Sequence, residues 1–141
     1  MTQVARWTVI GVAWAMAIAA APLSAAQEPS SMDGAAFDGY VTGSTVTYAH
    51  DGRVYGMEQY LPDRKVIWRQ IGGECLEGVW FEQDGHICFD YGEGAPLQCW
   101  TFALNGGGLG ARPIEDPAGM WLYEVRKSRE PMQCPAPYLG V

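Results

Sequence analysis

The chain has 141 residues, 48% of them hydrophobic and 18% charged, with 16 Asp and Glu against 9 Lys and Arg for a formal net charge of −7. That acidic balance argues against nucleic acid and anionic lipid as partners, because both require clustered Lys and Arg to displace counterions. The length fits a single domain, and four cysteines, an even number, invite pairing in an oxidising compartment.

Residues 1–26 read as a secretory signal peptide. Arg6 supplies the positive start, the apolar run 7–21 follows, Pro22 breaks it, and Ser24 and Ala26 hold the small-residue positions for cleavage before Gln27. The run stops short of the roughly 20 apolar residues that a spanning helix needs. No cysteine follows closely enough to carry a lipid, so no stable membrane anchor is expected after cleavage. The mature chain is expected in the periplasm or secreted. Arg6 leaves with the leader, so eight Lys and Arg then face the sixteen acids, a formal charge of −8.

Residues 27–43 form a polar lead and a short helix. Asp33 is placed to cap the N-terminus of a helix over 34–39, with Ala35, Ala36 and Phe37 as its apolar face. From residue 44 to 141 the pattern is that of a disulfide-stapled β domain. Short runs rich in Val, Ile, Tyr, Trp and Phe are separated by Asp-Gly and Gly-Gly turns, the mark of an antiparallel meander. Asp51-Gly52 joins 45–49 to 53–60, and a turn over 61–64 leads into 65–71. Gly72-Gly73 leads into 74–82, and Asp84-Gly85 joins that strand to 86–91. A looser loop over 92–96 precedes 97–104; the glycine-rich stretch 105–110 is expected to end the regular part as a flexible loop, with a last strand over 120–127.

Two-residue turns fix which side chains oppose one another. About Asp84-Gly85, Phe81 is expected opposite Cys88 and Trp80 opposite Phe89, and about Asp51-Gly52, Tyr48 opposite Tyr55. Carrying the register on across the 61–64 turn and the 92–96 loop places Glu58 opposite Trp68 and Cys88 opposite Cys99. Opposed residues lie within disulfide range, so Cys88–Cys99 is the preferred bridge and Cys75–Cys134 follows by elimination, one of three connectivities that four cysteines allow. Val79 and Phe81 on one face of their strand and Leu76 and Trp80 on the other alternate less cleanly than an open sheet with one wet face would. The fold class is therefore mainly β, a meander curled into a small barrel or sandwich, with one short N-terminal helix.

The strings Thr42 to Tyr48, Tyr55-Gly56-Met57-Glu58-Gln59-Tyr60, Val66-Ile67-Trp68, Gly78-Val79-Trp80 after Cys75, Ile87 to Tyr91 and Cys99-Trp100 together resemble a family of small exported alphaproteobacterial proteins of unknown function. The resemblance spans nearly the whole mature chain and implies export and architecture. It carries over no catalytic residue.

No catalytic set, cofactor site or metal site is expected. His86, Cys88 and Cys99 together imitate a metal site, but spaced Cys-x-x-Cys pairs are missing and the cysteines are assigned to disulfides. His50 reads as a solvated hairpin residue. No Gly-x-Ser-x-Gly elbow is present, and the run 105–110 lacks the lysine of a phosphate loop. Glu58, flanked by Tyr55 and Tyr60 and facing Trp68, is an acid against aromatic surface, the setting in which a carboxyl pKa rises.

The aromatic residues have two readings. They fill the core of a small domain, or some of them line the mouth of the curled sheet and make a pocket for a small apolar or sugar-like ligand. The candidate binding residues are Tyr48, Tyr55, Glu58 and Trp68, with Trp80 and Trp100 two hairpins on. A binding or interaction module for an unidentified small ligand or envelope protein is the preferred function. The alternative is a periplasmic enzyme that uses Glu58 together with a second acid from the hairpins carrying Glu74, Glu77, Glu82, Asp84, Asp90 and Glu93.

Overall fold

Asp33 opens the first element of the computed structural model, which describes residues 30–135. The leader, its cleavage point, residues 27–29 and the tail 136–141 lie outside the described residues. The Asp33 carboxylate accepts a hydrogen bond from the backbone N–H of Ala36 at 2.8 Å, capping helix α1 (Gly34–Val41). The expected cap is present, but the apolar face differs from the expectation. Helical spacing buries Gly34, Phe37 and Val41, while Ala35 and Ala36 face solvent.

Eight strands follow: β1 (Thr45–His50), β2 (Arg53–Tyr60), β3 (Lys65–Gln70), β4 (Cys75–Gln83), β5 (His86–Asp90), β6 (Gln98–Asn105), β7 (Gly108–Pro113) and β8 (Leu122–Ser128). Each pairs antiparallel with its neighbour in sequence, and β8 returns to β1, so the meander closes into a barrel and no open edge remains. Between the alternatives of sandwich and barrel, the structure is a barrel. Asp51 and Gly52 both have positive φ, 48° and 74°, the conformation of a type I′ hairpin turn whose twist matches that of its strands.

Three pairings expected from turn geometry are present: Glu58 opposite Trp68, Trp80 opposite Phe89, and Phe81 opposite Cys88. Cys88 lies opposite Cys99 and is bonded to it, and Cys75 is bonded to Cys134. The second bridge draws the trailing segment across the outside of β1 to β3. There the Gln59 side chain accepts from Met132 N–H at 3.0 Å and Arg69 donates to the Gln133 carbonyl at 2.9 Å.

Two expectations are corrected. The glycine-rich stretch is not a flexible loop: Gly106 and Gly107 make a tight turn, and Gly108, Leu109 and Gly110 enter β7, with Leu109 and Ala111 buried. Nor does Tyr48 oppose Tyr55. Ala49 pairs with Val54 but Tyr48 pairs with Gly56, so Tyr55 is the extra residue of a β-bulge.

An eight-stranded barrel has an interior that side chains can just fill. Here the helix plugs one end. Phe37 enters the barrel and meets Trp80 edge-on at 5.0 Å, Tyr60 at 5.6 Å, and Phe102 at 4.6 Å. Polar ties hold the plug in place: Glu82 accepts from Gly34 N–H at 2.8 Å, and the Tyr40 hydroxyl donates to Glu124 at 2.9 Å.

Candidate functional site

At the end away from the helix the barrel interior is not filled. A cavity of about 110 Å³ opens there, with Tyr48, Glu58, Phe89, Phe102, Ala111 and Leu122 deep within it and Tyr55, Trp68, Gln70, Tyr91, Gln98 and Trp100 towards the mouth. Phe89 and Phe102 form the partition between the two ends. They pack against Phe37 on one side and line the cavity on the other.

The walls exist because particular backbone positions make room for them. Tyr55 occupies the bulge of β2, a device that re-aims a side chain, and its ring packs 6.0 Å from that of Trp68. Trp68 lies over Gly56, where any Cβ would overlap the indole. Tyr91, just past the end of β5, enters over Gly78: a Cβ there would lie 2.7 Å from the Tyr91 ring and 2.5 Å from the Asp90 carbonyl oxygen. Inward-facing glycine in a strand thus marks the close approach of a neighbouring ring.

Glu58 lies at the floor and is 4% exposed. Its two oxygens are held by two phenols, one from β2 and one from just past the end of β5. Tyr91 donates to Oε1 at 2.8 Å and Tyr60 to Oε2 at 3.3 Å, and the Tyr60 hydroxyl lies 2.9 Å from that of Tyr48. Burial disfavours the carboxylate and raises the Glu58 pKa from 4.5 to about 8, against the opposing pull of the Tyr91 and Tyr60 hydrogen bonds. Burial likewise pushes the Tyr48, Tyr60 and Tyr91 hydroxyls well above the usual phenol range. At neutral pH the floor is therefore a carboxylic acid among un-ionised phenols, able both to donate and to accept hydrogen bonds.

Of the four candidate binding residues, all line this cavity. Trp100 joins them, whereas Trp80 is 1% exposed at the plugged end and packs on Phe37. Sequence reasoning missed Tyr91 as a Glu58 partner, together with Gln70 and Gln98 at the mouth. The pairing of β2 with β3 was visible in turn spacing, but nothing local shows that a residue 33 positions away reaches the same carboxyl.

The second acid of an acid–base pair is not in the cavity. Glu74, Glu77, Glu82, Asp84, Asp90 and Glu93 are all exposed, and among the described residues Glu58 is the one carboxylate that lines the cavity. Glu82 and Asp90 hold backbone N–H groups of Gly34 and Gly92. His86 lies 3.1 Å from the Thr101 hydroxyl, and the cysteines beside it are bonded to each other. His50 is not simply solvated: it is half-buried and its Nδ1 lies 2.9 Å from the Trp121 carbonyl, tying the β1 to β2 turn to the approach to β8. Among the described residues no group of three or more His, Cys, Asp and Glu is placed to hold a metal ion, and no helix is long and apolar enough to cross a membrane.

The geometry defines a closed antiparallel barrel, plugged at one end and cupped at the other around a buried carboxyl. Comparison with protein-family models, curated proteins and solved structures finds no match to the chain.

Proposed function

We propose that this protein is an exported binding module that holds a small ligand in the open end of its barrel, in the periplasm or outside the cell. The observation that carries the reading is the contrast within one interior: the plugged end is filled with aromatic rings, while the other keeps a cavity whose floor is an acid. Burying a carboxyl costs stability that an apolar residue of similar size would not. A filled core has no use for Glu58, whereas a ligand site has.

Two observations support export. The leader ends in a cleavable small-residue pattern, and all four cysteines are in disulfides, which persist where thiols oxidise. The outer face carries Lys65, Glu77 and Arg126, all exposed, as a barrel working in water requires and a lipid-facing one does not.

Tryptophan fluorescence tests the reading directly, since Trp68 and Trp100 line the cavity and Trp80 does not. A library of single-ring compounds should contain members that change the emission of the mature protein. The change should shrink in W68F and W100F. Responses that persist in both variants, or none across the library, would remove the basis for the proposal. N-terminal sequencing of protein recovered from the periplasm or medium should begin at Gln27; protein retained in the cytosol with Met1 intact would refute export.

A further inference from the structure

We propose that the cavity selects a small organic amine, bound as its ammonium ion, with the nitrogen on Glu58 and a single ring or short chain between Trp68 and Trp100. The assignment rests on the cavity being a ligand site and names the chemistry that site prefers.

Four features point the same way. The first is the acceptor inventory. A carboxyl group offers about four lone-pair sites, and Tyr91 and Tyr60 occupy one on each oxygen of Glu58. The remaining capacity belongs to a group that lines the cavity. An ammonium brings three N–H donors and no acceptor, which matches it.

The second is the wall. Tyr55, Trp68, Trp100 and Tyr91 present aromatic rings, whose negative faces attract cations, with Trp the strongest of them. The third is what the lining does not contain: among the described residues no Lys, Arg or His belongs to it, so a carboxylate or phosphate ligand would enter an acidic pocket without a counter-charge. The chain's net negative charge works in the same direction, drawing cations towards the protein and repelling anions.

Size supplies the fourth constraint. A cavity of 110 Å³ is somewhat smaller than the roughly 150 Å³ apolar cavity that holds a benzene molecule. One ring or a short chain fits, with any larger remainder left at the mouth beside Gln70 and Gln98.

Binding is then coupled to a proton. Glu58 is faced by Tyr48 from β1, Tyr60 from its own strand and Tyr91 beyond β5, with Glu124 of β8 and Tyr40 of α1 further out. None of these is cationic. In the empty protein the acid is protonated up to about pH 8, and an arriving ammonium takes the place of that proton. Affinity should accordingly rise about tenfold per pH unit towards pH 8 and level off above it.

Isothermal titration of the mature, disulfide-bonded protein with benzylamine, benzyl alcohol and benzoate tests this. Benzylamine should bind most tightly at pH 8, and its binding near pH 7 should release close to one proton, read from the dependence of the heat on buffer ionisation. E58Q should weaken benzylamine by about 30-fold or more while changing benzyl alcohol little. Because proton release is measured on the unaltered protein, the test survives if E58Q folds poorly. Equal or better binding of benzyl alcohol or benzoate, or benzylamine binding without proton release, would overturn the amine assignment and leave the binding barrel standing. Failure of all three ring compounds to bind or to shift the tryptophan emission would overturn both.

Discussion

The two ends of this barrel are built from the same kinds of residue and do opposite things. At the plugged end Phe37 brings an aromatic ring into a nest of Tyr60, Trp80 and Phe102, and the space is closed. At the open end Tyr55, Trp68, Tyr91 and Trp100 stand around a space instead of filling it, and the deepest polar group is an acid. Aromatic content therefore does not separate core from site. What separates them is the presence of a plug, and the two glycines that let rings lie along the wall.

The largest effects should come from the plugged end. Phe37→Ala removes the central ring and leaves a void against four aromatic neighbours, and it should cost about 4 kcal/mol. Calorimetry should show the melting temperature lower by about 15 °C or more. A loss below about 1 kcal/mol would mean that the barrel does not depend on its helix, and the contrast between the ends would collapse. Replacing Cys75 and Cys134 by Ser opens a bridge between residues 59 apart and should cost close to the same, about 4 kcal/mol in the chain-entropy account. The shorter Cys88–Cys99 bridge, 11 apart, should cost about 3 kcal/mol. Urea unfolding of each double variant would check the ranking, and a reversal would place the bridges' effect in the native state and not in the unfolded chain.

Gly56→Ala targets the open end. The new Cβ would overlap the Trp68 indole and lie 2.8 Å from the Arg69 carbonyl oxygen. Overpacking of this kind costs about 1–3 kcal/mol, and here it should also displace Trp68 from the wall. Urea unfolding should show the loss of stability, and the ligand-dependent tryptophan signal should fall with it. Full stability with an intact signal would show that the glycine makes no room for the ring.

The sequence is legible wherever local chemistry decides the outcome. The Asp84-Gly85 turn counts residues for the strands beside it, which is why Trp80 opposite Phe89 and Phe81 opposite Cys88 could be read from the chain alone. Strand β7 was hidden because Gly108 and Gly110 carry no side chains to display alternation; its pairing with β6 and β8 is a tertiary outcome. The bulge at Tyr55 was hidden because a bulge is defined by its partner strand, and the slip moves Tyr48 onto Gly56. Glu58 was found from its aromatic neighbours in sequence. Tyr91 was not, although Gly78 inside an otherwise bulky strand is a signal that another ring approaches there.

The open end should also leave a mark on stability as pH changes, the smallest effect per step and the most specific. The pKa of Glu58 is about 8 in the folded protein and 4.5 as the ordinary value. Between these limits the folded state holds a proton that the unfolded chain has lost, so raising the pH favours unfolding. The contribution is fully present below about pH 4.5, declines by about 1.4 kcal/mol per pH unit, and is gone once the pH passes about 8. Other groups add slopes of their own, and the difference between the wild type and E58Q isolates this one. A Gln at the floor keeps a carbonyl acceptor for Tyr91 and has nothing to titrate. Measured by urea unfolding from pH 5 to pH 8, the wild type should lose ground steadily relative to E58Q. A difference that stays flat would place the Glu58 carboxylate within reach of solvent or of a cation, and the floor of the cavity would then be polar surface like the rest of the exterior.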